Sequence, residues 1–199
     1  IYKILMSKIT TVILAAGKST RYKRNKSKLL ENLGGLPVIS HVYKIAQKIS
    51  GKNVIIVCNK NNINDFKKII SGCKFIVQKK QDGTANAILC AKSLLNNKNF
   101  LIMFGDCPLI SLKSINKLIG IFKNNNHFAS MIAFNTENPS GYGRVIKNHN
   151  KVIKVIEEIN ATHKEKEINI CNSGIMIVKS KDFFKSLNDI KINKIKKEK

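Results

Sequence analysis

Tryptophan is absent from this chain of 199 residues, proline occurs three times, and arginine occurs only as Arg21, Arg24 and Arg144. Long hydrophobic runs are also missing. The longest, such as residues 11–16 and 100–104, have the length of strands, well short of the roughly 20 residues that a membrane helix needs. The hydrophobic start of the chain is too short for a secretory leader. These absences predict a soluble, cytoplasmic protein with no membrane partner.

The cysteines show no pattern that would indicate a metal site or a disulfide framework. None forms a Cys-x-x-Cys pair, and an odd number of cysteines in a chain without a leader favours reduced, mostly buried thiols. The five residues are Cys58, Cys73, Cys90, Cys107 and Cys171.

Acidic residues are scarce: 12 oppose 36 basic ones, which gives a net charge of +24. Such a charge can indicate nucleic-acid binding. However, lysine, asparagine and isoleucine are all abundant, as expected from A/T-rich codons. The lysines are scattered, and arginine, which binds phosphates in bidentate fashion, is rare. We therefore expect no nucleic-acid partner, although the positive field would speed capture of an anionic nucleotide.

Short apolar runs alternate with segments of helical periodicity, which predicts an α/β fold. We expect a Rossmann-like, mostly parallel sheet with helices on both faces, followed after about residue 139 by a small mixed or antiparallel addition. The whole chain, residues 1–199, is predicted to be one domain with a frayed lysine-rich end at 188–199. Predicted strands are 9–14, 53–58, 74–77, 100–104, 129–134, 144–147, 151–156 and 175–178, and predicted helices are 38–49, 63–70, 84–95 and 112–122.

Parallel sheets bind ligands at the carboxyl ends of their strands, which directs attention to the residues after the first predicted strand. A tight turn at Gly17 allows backbone N–H groups to approach an anion, and small residues leave room for a flat base. Arg21 and Lys28 supply cations for a triphosphate. The spacing fits neither a Walker A loop nor Gly-x-Gly-x-x-Gly, and an ordinary turn with solvated charges is the alternative. The candidate loop comprises Leu14, Ala15, Ala16 and Gly17.

Two further strand ends carry polar residues. Gln78, with Gly83 and Thr84 after it, offers an amide that suits the edge of a uracil ring; the alternative is an ordinary helix start. Phe104 and Gly105 lead into Asp106, whose carboxylate is a suitable ligand for Mg²⁺. Capping of the helix near residue 112 is the alternative role for Asp106, but the carboxylate lies too far upstream.

A glycine-rich loop with the sequence Asn-Pro-Ser-Gly-Tyr-Gly-Arg ends at Arg144 and could close over a ligand. Glu157 and Asn172 follow in later segments. A carboxylate and an amide can recognise sugar hydroxyls, and solvated surface residues are the alternative.

Together these motifs resemble the nucleotidyltransferase superfamily. The Leu-Ala-Ala-Gly-x-Ser-Thr-Arg loop, Gln-x-x-Gln-x-Gly-Thr, Gly-Asp-x-Pro-Leu and Asn-Pro-x-Gly-Tyr-Gly-Arg are most similar to the uridylyltransferase domain of the bifunctional bacterial enzymes that make UDP-N-acetylglucosamine. The match covers nearly the whole chain from Met6.

The resemblance implies transfer of UMP from UTP to N-acetylglucosamine 1-phosphate, with Mg²⁺ as cofactor. It implies that Arg21 and Lys28 act on the triphosphate and that Asp106 binds the metal. The remaining substrate residues would be Leu14, Ala15, Ala16, Gly17, Gln78, Gly83, Thr84, Phe104 and Gly105 around the nucleotide, and Gly143, Glu157 and Asn172 at the sugar.

Some positions depart from the family pattern: Ser19, Ser27 and Asn160 replace glycine, proline and aspartate. We expect the domain to be incomplete at its C-terminus, without the segment that supplies a second metal ligand. We also expect this sequence to lack the family's β-helix acetyltransferase domain, and we expect a homotrimer only if that domain is present. A cytidylyl- or guanylyltransferase, or an inactive nucleotide-binding fragment, are the alternatives.

Overall fold

The computed structural model describes residues 9–17, 27–96, 98–125 and 127–188, which belong to two compact units. The first unit contains the chain up to Ser130 and from Ile177 onward, and the second spans Met131–Met176. Among the described residues, no helix combines the length and hydrophobicity of a membrane span. All five cysteines are free, with Cys58 and Cys171 buried and the others partly buried.

A parallel sheet forms the centre of the first unit. Its strands lie in the order β5 (Lys74–Val77), β4 (Val54–Cys58), β1 (Thr10–Leu14) and β6 (Asn99–Phe104), and each pair is parallel. Every residue of β1 and β4 is buried. The apolar sequence of β4, and that of β1 after its two threonines, suits strands that are covered on both faces. Because all four strands run the same way, their carboxyl ends meet at one edge of the sheet.

Amphipathic helices connect these strands. The first begins after Pro37 and ends before Gly51, whose N–H donates to the Gln47 carbonyl. The helices of this unit are α1 (Val38–Ser50), α2 (Ile63–Ile69), α3 (Thr84–Cys90), α4 (Lys92–Leu95), α5 (Leu112–Asn124) and α7 (Ser180–Asn188), and a 3₁₀ turn at Lys28–Leu30 precedes a hairpin of β2 (Asn32–Leu33) and β3 (Leu36–Pro37).

The second unit is antiparallel. Its strands β8 (Arg144–Asn148) and β9 (Lys151–Ile156) form a hairpin, and β10 (Ile170–Lys179) pairs β8 at Cys171↔Arg144. Strand β7 (Ala129–Asn135) pairs β10, and both strands continue into the first unit. A 3₁₀ turn at Glu158–Asn160 and helix α6 (His163–Lys166) connect β9 to β10.

The predicted fold class is confirmed: a largely parallel sheet is flanked by helices, and a small antiparallel sheet follows residue 139. Local details differ. The helix predicted over 84–95 breaks at Ala91, and the strand predicted over 175–178 begins at Ile170. The sequence analysis also did not predict α7. This helix packs on the sheet through Phe184, whose ring stacks on that of Phe100 in β6 with the ring centroids 5.8 Å apart. Asn188 ends α7, and the rest of the end predicted to fray lies outside the described residues.

Candidate active site

The loop that follows β1 is held by side chains from two neighbouring strand ends. Asn62 donates from Nδ2 to the Ala15 carbonyl at 2.9 Å, and Asn59 donates to the Ala16 carbonyl at 3.1 Å. Gln81, after β5, donates from Nε2 to the same Ala16 oxygen at 2.8 Å. These three hydrogen bonds thus fix the backbone where the sequence predicts a nucleotide loop.

Gln78 is buried at the end of β5 and shapes the turn into α3. Its Nε2 donates to the Gly83 carbonyl at 3.2 Å and to Asn86 Oδ1 at 3.0 Å. Gly83 occupies the N-cap position with φ 94°, a conformation that strongly favours glycine. Thr84 is therefore the first helical residue rather than the cap, and it is exposed. The amide-rich segment after β5 thus forms a turn in which the Gln78 side chain holds the Gly83 backbone by a hydrogen bond.

Gly105 allows β6 to approach β1 closely at its carboxyl end. Its N–H donates to the Leu14 carbonyl at 2.9 Å. A Cβ at this position would lie 3.2 Å from Leu29 Cδ1 and 3.4 Å from Ala15 Cβ. Glycine at this position therefore allows the segment that carries the next residue, Asp106, to lie close beside the loop after β1.

Asp106 and Lys28 form a close ion pair at this edge of the sheet. Lys28 Nζ lies 2.6 Å from Asp106 Oδ2, and the two side chains are 45% and 41% exposed. Both charged groups can therefore reach a ligand from solvent. The helix that follows is capped by Ser111, which accepts from the Ser114 N–H, so Asp106 is not a helix cap.

The thiol next to Asp106 responds to this electrostatic environment. Burial raises the pKa of Cys107, the Asp106 carboxylate raises it further, and the Lys28 ammonium opposes both effects. Cys107 therefore stays protonated at neutral pH.

The residues predicted to recognise the sugar lie together in the second unit. The Asn172 N–H donates to the Gly143 carbonyl at 2.8 Å. A Cβ on Gly143 would lie 3.6 Å from Glu157 Oε1, so this carboxylate is beside the glycine. The Asn172 side chain accepts from the Gly174 N–H at 2.7 Å. The Glu157 carboxylate and the backbone of Gly143 and Asn172 thus lie close together.

A buried arginine fixes the loop that ends in this cluster. Arg144 is 1% exposed and donates to the carbonyls of Tyr142 and Lys166. Its guanidinium lies 3.8 Å from the Glu158 carboxylate, which also accepts from the Gly141 N–H. Arg144 and Glu158 therefore hold the glycine-rich loop at two points.

The fit of a magnesium ion rests on Asp106. Among the described residues, no cluster of three His, Cys, Asp or Glu side chains could hold a metal ion by itself. Mg²⁺ retains several waters and is commonly bound by one or two carboxylates together with substrate phosphates. The exposed Asp106 carboxylate fits that requirement.

The structure thus brings most of the predicted nucleotide residues to one edge of the parallel sheet. Arg21 lies outside the described residues, and Phe104 is partly buried where β6 ends. The sequence analysis missed two residues that hold the loop after β1, Asn59 and Asn62. The signal for them was available, because a cluster of asparagines directly follows β4, the strand between β1 and β5.

Comparison with known proteins supports this picture. Curated relatives named "Bifunctional protein GlmU" include one from Buchnera aphidicola subsp. Schizaphis graminum, 40% identical over 98% of this chain. Another is from Campylobacter fetus subsp. fetus, 40% identical over 85% of the chain. The chain spans about two fifths of the length of these relatives, 42% and 39% respectively. The resemblance predicted from the motifs is confirmed.

Solved structures show the same fold. A Bacillus anthracis protein described as a candidate glucose-1-phosphate thymidylyltransferase superposes with a TM-score of 0.77 at 24% identity, over 94% of this chain and 80% of its own. A UDP-glucose pyrophosphorylase complexed with UDP-glucose superposes with a TM-score of 0.74 at 17% identity, over 94% and 81%. Residues 11–169 match the MobA-like NTP transferase domain. With its parallel sheet and the loop after β1, this chain belongs to the MobA-like NTP transferase domain family.

Proposed function

We propose that this chain transfers a uridylyl group from UTP to N-acetylglucosamine 1-phosphate and releases pyrophosphate. One observation carries the proposal: the polar ends of β1, β5 and β6 meet at one edge of the sheet. Gln81 reaches the Ala16 carbonyl, Gly105 reaches the Leu14 carbonyl, and Lys28 reaches Asp106. The names of the GlmU relatives and the sequence motifs support the choice of substrates.

The distribution of charge supports a triphosphate in the first unit. The second unit contains six basic and five acidic residues, so nearly all of the net charge of +24 belongs to the first. A strongly positive unit attracts an anionic nucleotide and raises its rate of capture. We propose that Gly143, Glu157 and Asn172 of the second unit take the sugar phosphate.

In the proposed reaction, a phosphate oxygen of the sugar phosphate attacks the α-phosphorus of UTP. The bond from this phosphorus to the oxygen that bridges to the β-phosphate breaks, and pyrophosphate leaves with that oxygen. No protein nucleophile is needed, because positioning and charge neutralisation suffice for phosphoryl chemistry. Lys28 donates to the triphosphate and stays with the leaving pyrophosphate, as Arg21 is expected to do.

Asp106 would hold Mg²⁺ through its exposed carboxylate. The ion, when bound, neutralises charge on the phosphates. Gln78 and Gly83 shape the turn that we propose receives the uracil. Gln81, in the same connection, is joined to the Ala15–Ala16 segment by its hydrogen bond to the Ala16 carbonyl. The ion pair keeps the Lys28 ammonium and the Asp106 carboxylate close together before the anionic substrate arrives.

A pyrophosphate-release assay with UTP, CTP, GTP and ATP tests the proposal, with N-acetylglucosamine 1-phosphate and Mg²⁺ present. We expect release with UTP, and a loss of more than about 100-fold in the variant Asp106→Asn, since a removed metal ligand leaves the phosphate charge uncompensated. Asp182→Asn is the matched control, because Asp182 is exposed on α7, which packs through Phe184 on Phe100 at the opposite end of β6 from Asp106, and it should retain full turnover.

The alternatives give different results in the same experiment. Preferred turnover of CTP or GTP would favour another nucleotidyltransferase. UTP binding without turnover would favour a nucleotide-binding fragment. Near-normal turnover by Asp106→Asn would contradict the metal assignment, and binding of none of the four triphosphates would contradict the proposal as a whole.

The cytoplasmic location remains a prediction.

A further inference from the structure

Asn59 and Asn62 lie at the carboxyl end of β4, beside the candidate nucleotide loop, and have no role in the proposed reaction. Asn62 is 3% exposed. A buried amide must find hydrogen-bond partners, and that of Asn62 finds the Ala15 carbonyl at 2.9 Å. Asn59 makes the equivalent bond to the Ala16 carbonyl at 3.1 Å.

The orientation of both amides is fixed by the backbone. Asn62 Oδ1 accepts from the Asn59 N–H at 2.9 Å, and Asn59 Oδ1 accepts from the N–H groups of Asn61 and Asn62 at 2.9 and 3.0 Å. An amide rotated by 180° would point its NH₂ group at these N–H donors. Each Nδ2 must therefore face the loop after β1, which makes the pair a fixed source of two donors.

These two donors determine where the neighbouring N–H groups point. In a planar trans peptide, the C=O and N–H point in opposite directions. Fixing the Ala15 carbonyl on Asn62 turns the Ala16 N–H away from Asn62. Fixing the Ala16 carbonyl on Asn59 turns the Gly17 N–H away from Asn59 in the same manner.

Neither N–H has a backbone acceptor within the described part of the chain. Sheet pairing ends one residue earlier, where the Ala15 N–H donates to the Val57 carbonyl at 2.7 Å. The next two N–H groups, of Ala16 and Gly17, are thus left to bind acceptor atoms. Unpaired backbone N–H groups at the end of a strand can donate to anions and to carbonyl oxygens.

We infer that Asn59 and Asn62 are positioning residues, which aim the Ala16 and Gly17 N–H groups at acceptor atoms of the bound nucleoside triphosphate. The inference rests on the proposed function and adds a cause for the loop's shape. Gln81 contributes a second donor to the Ala16 carbonyl, so that carbonyl is held twice, whereas the Ala15 carbonyl is held by Asn62.

The test uses UTP affinity in Asn62→Asp, which preserves the size of the side chain and its Oδ1 acceptor but replaces the donor to Ala15 by a carboxylate oxygen. We expect UTP to bind roughly tenfold more weakly, the cost of one misdirected polar contact. Asn61→Asp makes the same charge change at the exposed neighbouring position and should bind UTP within about twofold of the original chain. Asn59→Asp, at a less buried position, provides a milder second variant.

Circular dichroism first establishes a temperature at which every variant is folded. In the unmodified chain, the ¹⁵N-amide signals of Ala16 and Gly17 should shift when UTP binds. Equal UTP affinity in Asn62→Asp and Asn61→Asp, or amide signals that do not move, would overturn the positioning role while leaving the proposed function intact. Failure of the unmodified chain to bind any of the four triphosphates would instead overturn the proposed function, and the inference with it.

Discussion

Replacing Gly105 with alanine tests whether close approach of β6 to β1 builds the site. An added Cβ would lie 3.2 Å from Leu29 Cδ1, 3.3 Å from the Leu14 carbonyl oxygen and 3.4 Å from Ala15 Cβ. The Leu29 side chain can move. The Leu14 oxygen cannot move freely, because it accepts from the Gly105 N–H at 2.9 Å. The strain therefore falls on the backbone of the nucleotide loop.

Inserting a methyl group into packed surroundings costs about 1–3 kcal/mol. Restricting the unfolded chain by replacing glycine returns about 0.4–1 kcal/mol. We therefore expect Gly105→Ala to lower the free energy of unfolding by about 0.5–2 kcal/mol. In a protein of this size, this corresponds to a fall in Tm of roughly 1–8 °C. UTP affinity should also fall, since the displaced atoms belong to the loop.

Gly120→Ala is the matched control. A Cβ on Gly120 meets no heavy atom within 4 Å, and the residue lies inside α5, where alanine is favoured over glycine by about 0.8–1 kcal/mol. This variant should therefore be more stable and should bind UTP normally. Urea unfolding and UTP calorimetry measure both effects. If Gly105→Ala proves as stable as Gly120→Ala and binds UTP equally well, the packing argument is wrong.

Three further changes test other parts of the molecule. Lys28→Ala should weaken UTP binding roughly tenfold in calorimetry, since one charge-assisted contact is lost, while binding of the sugar phosphate changes little; Lys48→Ala, in the last turn of α1, is the control, and equal losses for both ligands would refute the triphosphate role. Arg144→Met should lower the free energy of unfolding in urea by about 2–4 kcal/mol, because the Tyr142 and Lys166 carbonyls lose their donor and the Glu158 carboxylate loses its ion-pair partner, and an unchanged urea midpoint would contradict this role. Hydrogen bonds from the Thr162 N–H and hydroxyl lower the pKa of Glu165, so this carboxylate stabilises the fold above its unfolded pKa and ceases to do so as the pH falls through its lower folded pKa; the stability difference between the original chain and Glu165→Gln should therefore shrink at acid pH, and a constant difference would count against it.

The sequence predicted the positions of the strand ends because the residue types change there. Val77 precedes Gln78, Phe104 precedes Gly105 and Asp106, and the end of β1 is marked by the small residues Ala-Ala-Gly after Leu14. A parallel sheet brings such ends to one edge. The residue types then suggested the chemistry at each end. The glycine before Asp106 also fits the structure, because an added Cβ would lie only 3.2–3.4 Å from its nearest neighbours.

Other features depend on partners that are distant in the sequence. Nothing local shows that Asn62 donates to Ala15, because that bond joins residues 47 positions apart. The Lys28–Asp106 ion pair spans 78 positions. Strand β10 was predicted too short because polar Asn172 and Ser173 interrupt its apolar pattern. Their side chains are used locally, as when Ser173 donates to the Ile132 carbonyl at 2.7 Å.

Hydrogen–deuterium exchange during a titration with UTP and Mg²⁺ tests most directly whether the ends of β1, β5 and β6 surround one nucleotide. The account predicts that residues 14–17, 78–84 and 104–107 become protected together, along one saturation curve, while α1 (Val38–Ser50) is unaffected. Protection of only one of these segments, or separate curves for the three, would contradict a shared nucleotide site.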